Sequence, residues 1–92
     1  MDLYSSKDQE PTFKRRMQAN KDNPDLFVLN ITVGEDGTYE EITLHHVGCY
    51  GVQGYTHVSR YFQKRVGGKE ELRRWGRQYQ HAYKEDDTNC LH

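Results

Sequence analysis

The chain has 92 residues, of which 34% are hydrophobic and 29% are charged, and its mean hydropathy is −1.09. This length corresponds to a single domain over residues 1–92 with a small core, and the sequence has no apolar run long enough to span a bilayer. The sequence also lacks a signal-peptide pattern at Met1, so we expect a cytoplasmic protein that makes no membrane contact.

The formal net charge of −1 is distributed unevenly along the chain. Residues 1–47 carry a net charge of −4, residues 48–84 carry +6, and residues 85–92 carry −3. Electrostatic fields act locally, so the basic segment can attract a partner even though the total charge is small. The alternative is that the acidic and basic parts of the domain neutralise each other.

The N-terminal part of the sequence predicts a flexible arm followed by a short helix. We expect flexible ends at residues 1–9 and 86–92, where the sequence has little apolar content. Pro11 suits the first turn of a helix that continues to about residue 20. Phe13 and Met17 are four residues apart and share its apolar face, so this helix should lie on the domain surface.

Residues 26–33 and 38–47 predict a β-hairpin. In the first of these strands, apolar side chains alternate with polar ones, as in a strand with one buried face. The loop between them contains Gly37, which can adopt a positive φ. Apolar side chains face each other across the hairpin if Val33 lies opposite Thr38, and this register also pairs Leu29 with Ile42 and Phe27 with Leu44.

A glycine-rich segment, residues 48–54, follows the hairpin. Its spacing matches neither a dinucleotide-binding fingerprint nor a phosphate-binding loop. We interpret it mainly as a connector. Tyr50 and Tyr55 are candidates for contact with a partner because exposed tyrosines beside glycines are typical of contact loops.

Two C-terminal helices are predicted, at residues 56–66 and 69–84, with Gly67 and Gly68 between them. Their apolar faces should cover the hairpin, and five basic residues should point outwards as a partner-binding face: Arg60, Lys64, Arg73, Arg74 and Arg77. The predicted core is Phe13, Met17, Phe27, Leu29, Ile31, Ile42, Leu44, Val58, Phe62, Leu72, Trp75 and Tyr79.

The stretch from Gly54-Tyr55-Thr56 to Arg73-Arg74-Trp75 resembles the last segment of arabinose-regulator-type activators, in which an aromatic helix leads into an arginine-rich stretch. The spacing before Tyr61 and Phe62 is shorter than in that family, and no partner helix precedes it. The resemblance implies a helix-turn-helix-like DNA-binding layout.

The sequence gives little support for a metal site or for a catalytic site. His45, His46, Cys49 and His57 are zinc-ligand types, but they lack paired spacing, and neighbouring strand residues point to opposite faces. Cys49 with His45 or His46 could form a nucleophile and base, but no third orienting group is evident. We therefore expect no cofactor, no metal and no enzymatic activity, and we expect Cys49 and Cys90 to be free thiols.

The sequence predicts an α+β domain with a small antiparallel sheet, built on the hairpin and packed by a short N-terminal helix and two C-terminal helices. Its expected function is that of a non-enzymatic binding protein that docks on a larger protein or nucleoprotein complex and modulates it through the basic helical face. In size and character it is similar to phage and mobile-element inhibitors of host defence, such as anti-CRISPR proteins. The alternative is a helix-turn-helix-like DNA-binding regulator, and a second copy of the chain could complete the small core as a homodimer.

Overall fold

Five strands and three helices follow one another in the computed structural model, which describes residues 1–86. Two short 3-10 turns, Lys7–Gln9 and Arg77–Tyr79, extend the first and last helices. The elements in chain order are β1 (Asp2–Tyr4), α1 (Glu10–Ala19), β2 (Phe27–Val33), β3 (Tyr39–His46), α2 (Tyr50–Gln53), β4 (Phe62–Gly67), α3 (Lys69–Gly76) and β5 (Tyr83–Glu85).

The five strands form one sheet in the order β1-β4-β2-β3-β5. All neighbouring strands are antiparallel except β3 and β5, which are parallel, so the sheet is mixed. The predicted α+β class is confirmed: a central hairpin of β2 and β3 is packed by one N-terminal helix and by two helices that follow it. None of the helices within residues 1–86 combines the length and the apolar composition needed to cross a bilayer.

The positions of the C-terminal helices were predicted wrongly. The whole of the expected helix at residues 56–66 is loop and strand, because β4 pairs with β2 from Phe27 to Thr32. The expected helix at residues 69–84 ends at Gly76, and its last part forms a 3-10 turn and β5. These two segments therefore do not form the helix-turn-helix layout.

The hairpin exists, but its predicted register was wrong by two residues. Leu29 lies opposite Leu44 and Ile31 lies opposite Ile42. The strand pairing is irregular between Thr32 and Val33, and the loop closes through a hydrogen bond from the Gly34 N–H to the Thr38 carbonyl at 2.8 Å. A shift of two residues keeps the same side chains on the same face, so the apolar face itself was predicted correctly. Gly37 has the positive φ, 84°, that the loop requires.

Each face of the sheet covers its own core. The side chains of Leu29, Ile31, Ile42 and Leu44 pack under α3 with Leu72. On the opposite face, α1 and α2 cover a second core that contains Phe13, Met17, Val28, Val52, Val58 and Val66. Of the predicted core residues, Phe27, Trp75 and Tyr79 are half-buried beside the first core. Phe62 was predicted wrongly, since it is 46% exposed.

The N-terminal arm that we expected to be flexible is an edge strand. β1 pairs with β4, with Leu3 opposite Arg65. Arg16 of α1 holds this strand through hydrogen bonds to the Asp2 carboxylate at 2.7 Å and the Tyr4 hydroxyl at 2.9 Å. At the other end, the Asp86 N–H donates to the Leu44 carbonyl at 3.1 Å. The rest of the expected flexible end, including Cys90, lies outside the described residues.

Candidate functional site

A pocket of about 490 Å³ lies on the face of the sheet that α1 and α2 cover only in part. The helices pack against the end of the sheet that carries Val28 and Val66. Beyond them, the same face of β2, β3 and β4 carries polar side chains, because these strands alternate between the two faces. The pocket is lined there by Asn30, Thr32, Glu41, Thr43, His45 and Lys64, with Tyr55, Phe62, Lys84 and Asp86 around them.

Lys64 is the charged residue at the base of this pocket and is only 5% exposed. Its ammonium donates a hydrogen bond to Asn30 Oδ1 at 2.9 Å, and the Asn30 amide donates in turn to the Gly51 carbonyl at 2.8 Å. None of the ion pairs found within residues 1–86 includes Lys64. Burial lowers the pKa of Lys64 to about 8, because the charged form loses its hydration.

The prediction that Lys64 lies on an outer basic face is therefore wrong. It was based on a helix over residues 56–66, in which Lys64 and Arg60 would both point away from the apolar side. In β4, Lys64 lies opposite Asn30 of β2 and between Phe62 and Val66 on the same face of the sheet. Its charge points towards the pocket instead of joining the arginines of α3.

Three side chains of different chemistry meet at one end of the pocket. His45 Nδ1 lies 3.1 Å from Asp86 Oδ2 and 3.6 Å from Cys49 Sγ, and Cys49 Sγ lies 3.8 Å from Asp86 Oδ2. His45 and Cys49 are buried and Asp86 is half-buried. Burial lowers the pKa of His45, against the opposing effect of the Asp86 carboxylate. Of these two effects on the pKa, that of burial is the larger.

The backbone of the glycine-rich segment makes this convergence possible. Cys49 caps the N-terminal end of the short α2, and its backbone carbonyl accepts hydrogen bonds from Val52 and Gln53. Gly51, in the same helix, lies against the His45 ring: a Cβ on Gly51 would be 2.6 Å from His45 Cε1. Only glycine at this position leaves room for the ring in its present place.

Aromatic side chains surround the outer part of the pocket. Tyr50 is 77% exposed, Tyr55 is 58% exposed and Phe62 is 46% exposed. The rings of Tyr50 and Tyr55 are in edge contact, with centroids 5.8 Å apart, and Tyr55 and Phe62 both line the pocket. We call these three residues the aromatic patch. The structure thus brings the predicted contact residue Tyr55 to the pocket that Lys64 lines, and it places Tyr50, the other predicted contact residue, against Tyr55.

The predicted arginines of α3 form a different surface, and one of them is bound internally. Arg73 makes two hydrogen bonds to Glu85, at 2.8 and 2.9 Å, and a third to Glu70 at 2.7 Å. These contacts raise the pKa of Arg73 and lower that of Glu85 to about 2. Arg74 and Arg77 are exposed, with Arg77 4.0 Å from Glu85.

Arg60 belongs to neither group. Its guanidinium lies over the ring of Tyr61, 4.6 Å from the centroid, and it also hydrogen-bonds the Tyr61 hydroxyl. The basic residues predicted to form one face are therefore divided between the pocket, α3 and the loop before β4.

The pocket combines a buried cation, neutral hydrogen-bonding groups and exposed aromatic rings. The chain matches no family model, no curated protein and no solved structure. Sequence reasoning missed Asn30, Phe62 and Asp86 as site residues. The alternation of Asn30 and Thr32 with apolar residues in β2 was the available signal for a polar face, whereas nothing in the sequence links Asp86 to His45.

Proposed function

We propose that this chain is a small non-enzymatic binding protein that docks on a larger protein through the pocket and its aromatic patch. The observation that carries the proposal is the exposure of Tyr55 and Phe62, which line one pocket, and of Tyr50, whose ring contacts Tyr55. The other eight aromatic residues of the chain are buried or half-buried. The fold therefore packs its aromatic rings elsewhere and leaves them accessible at this one place.

Aromatic rings at such a position are suited to protein recognition. Tyrosine offers a large contact area at a low cost in conformational entropy, and its hydroxyl can bind polar groups. Residues that dominate binding energy cluster in pockets surrounded by groups that exclude water. Tyr50 and Tyr55 already hold each other in edge contact, so less freedom is lost when a partner binds.

Lys64 indicates the chemistry of the group that would enter the pocket. A buried ammonium without a carboxylate partner is unfavourable, and a bound carboxylate would relieve this cost. Asn30 uses one of the three N–H donors of Lys64. The expected partner is therefore a protein that inserts an acidic side chain, Asp or Glu, into the pocket and makes apolar contacts with the aromatic patch.

The charge distribution favours a protein over a nucleic acid. The pocket contains the acidic side chains of Glu41 and Asp86 as well as Lys64 and Lys84, and Lys84 pairs with Glu41 at 3.1 Å. On α3, Arg73 is neutralised by Glu85 and Glu70. A phosphate backbone is usually met by a continuous basic stripe, which these residues do not provide.

Small size and the absence of catalytic motifs are typical of phage and mobile-element factors that modulate host complexes. Host-defence complexes of the kind that anti-CRISPR proteins inhibit are therefore the first candidate partners to test. The support for this choice is similarity of size and character.

The test compares capture of a partner by the wild-type protein and by variants of the aromatic patch. A protein recovered from host lysate by the wild type would be purified and titrated against each variant. Tyr55→Ala should weaken binding by about 2 kcal/mol, roughly 30-fold, because an exposed aromatic ring that lines the pocket is lost. Arg74→Ala, a matched substitution of an exposed residue on α3, should change affinity less than about threefold.

Three outcomes would contradict the proposal. The first is equal binding of the partner by Tyr55→Ala and the wild type. The second is tight binding to single-stranded or duplex nucleic acid that weakens steeply between two salt concentrations, which would favour a regulator. The third is a native mass of two chains that Tyr55→Ala reduces to one, which would show that a second copy occupies the pocket.

A further inference from the structure

We infer that His45, Cys49 and Asp86 form a zinc-binding site, with the imidazole Nδ1, the thiolate sulfur and a carboxylate oxygen as its three protein ligands. The three donor atoms lie within 4.8 Å of one another, on the end of β3, the start of α2 and the residue after β5. This inference goes beyond the proposed docking function and does not depend on it.

The distances between the three atoms match those of a tetrahedral zinc site. With Zn–S of about 2.3 Å and Zn–N or Zn–O of about 2.0–2.1 Å, the nitrogen and oxygen should be roughly 3.3 Å apart and each should be roughly 3.6 Å from the sulfur. The observed separations are 3.1 Å for nitrogen to oxygen, 3.6 Å for sulfur to nitrogen and 3.8 Å for sulfur to oxygen. Shifts of a few tenths of an ångström would complete this face of the coordination tetrahedron.

The arrangement differs from that of a catalytic relay. In a nucleophile–histidine–carboxylate relay, the nucleophile and the carboxylate contact different ring nitrogens. Here Cys49 Sγ and Asp86 Oδ2 both lie near Nδ1 of His45. The thiol and the ring nitrogen can each donate a hydrogen bond to Asp86 Oδ2, and three donor atoms around one point are also the arrangement that a cation requires.

The type of donor favours zinc among the common metal ions. Thiolate and imidazole together select a borderline-soft ion, while Mg²⁺ and Ca²⁺ prefer oxygen ligands alone. His45 and Cys49, the nitrogen and sulfur donors, are both buried beside the half-buried Asp86. On binding, the Cys49 thiol releases its proton to solvent and the sulfur donates its electron pair to Zn²⁺.

Three protein ligands leave one tetrahedral position for another group. His45 and Asp86 both line the pocket, so water or a side chain of a bound protein can occupy this position from the pocket. Zinc sites with three protein ligands commonly keep such an exchangeable position.

Cobalt substitution provides the first test, on protein without a histidine tag and in a Cys90→Ser background that leaves Cys49 as the sole thiol. We expect one Co²⁺ per chain, with a sulfur-to-cobalt charge-transfer band and the strong visible bands of tetrahedral coordination, both removed when Zn²⁺ is added in equal amount. No stoichiometric binding, or binding without the charge-transfer band, would overturn the assignment.

Ligand variants distinguish this site from other histidines and from simple folding defects. Asp86→Asn and Cys49→Ser should each weaken Zn²⁺ binding at least about tenfold, and His57→Gln should leave it unchanged. Zn²⁺ should raise the melting temperature of the Cys90→Ser protein, since it binds only the folded form, but not that of Cys49→Ser. The site is ruled out if Asp86→Asn, folded by circular dichroism, binds Zn²⁺ as tightly as the wild type.

Discussion

Lys64 lines the pocket and also affects the stability of the fold. Its side chain lies beside the second core, with the ammonium 5.9 Å from the centre of the Phe13 ring. Burial shifts its pKa from 10.5 to about 8, so the folded protein releases this proton before the unfolded chain does. Stability must therefore increase with pH between these two values.

Lys64→Met tests this dependence. At pH 7 the variant should have a higher free energy of unfolding than the wild type, because it does not bury a charge. The hydrogen bond lost to Asn30 should reduce this gain by about 1 kcal/mol. Between pH 7.5 and 10 the wild type should gain roughly 2 kcal/mol relative to the variant. The measurement is urea denaturation across this range, with a chelator present.

Comparing the variant with the wild type separates the effect of Lys64 from that of the other ionisable residues of the pocket, which are Glu41, His45, Tyr55, Lys84, Glu85 and Asp86. Lys14→Met, which replaces an exposed lysine of α1, is the matched control and should follow the wild type at every pH. If the free energies of unfolding of Lys64→Met and the wild type differ by the same amount at every pH, the ammonium is hydrated in the folded protein.

At the same scale, the sequence left open which tyrosines are exposed. Tyr50 and Tyr55 lie beside glycines, which leave little for a ring to pack against, and both are exposed in the structure. Burial of Lys64 could not be predicted, because it depends on Asn30, which lies 34 residues away in the chain.

Among the elements, α3 is tied to β5 by one side chain. Arg73 lies between Glu70 of its own helix and Glu85 of the strand, and its guanidinium contacts Glu85 through two nitrogens. Paired geometry of this kind makes a partly buried ion pair stronger than a single surface contact. Arg73 therefore has a structural role that the predicted binding face did not include.

Arg73→Gln should lower the free energy of unfolding by roughly 1–2 kcal/mol, because Glu85 would lose its main partner. Arg77→Gln is the matched control, since Arg77 lies on the same side of the structure but is 61% exposed, and it should change stability by less than about 0.5 kcal/mol. Chemical denaturation at pH 7 measures both. Equal effects of the two substitutions would show that Arg73 acts only as a surface charge.

The strand β4 was predicted to be a helix, and its sequence pattern explains why. Val58, Phe62 and Val66 recur every four residues, which matches a helix, while Lys64 interrupts the apolar alternation of a strand. Pairing with β2 determines the outcome, and this interaction between distant parts of the chain leaves no local signal. The hairpin of β2 and β3 was predictable because its pairing is local and its loop contains Gly37.

For the whole molecule, the important feature is that both cores share one sheet. Met17 of α1 and Leu72 of α3 are each fully buried, on opposite faces. Neither helix can detach without exposing a face of β2, which contributes Val28 to one core and Leu29 to the other. We therefore expect residues on both sides to unfold in one cooperative transition.

Met17→Ala and Leu72→Ala should each cost about 2–5 kcal/mol and should each leave a single transition. The transition followed by Trp75 fluorescence, which reports on the α3 side, should coincide with that followed by far-ultraviolet circular dichroism. Lys14→Ala is the control, because it replaces an exposed residue of α1 and removes no side chain from either core. The two cores are independent if Met17→Ala unfolds in two transitions and Trp75 fluorescence follows only one of them.

The sheet order also has a consequence for how the protein is made on the ribosome. β1 is synthesised first, yet its neighbour β4 begins only at Phe62, and β5 is needed beside β3 to bring Asp86 to His45. The hairpin of β2 and β3 can form early, but both edges of the sheet are added afterwards. During translation, the nascent chain therefore exposes unpaired strand edges until β4 and β5 have emerged, and this is the period in which it most needs protection by chaperones.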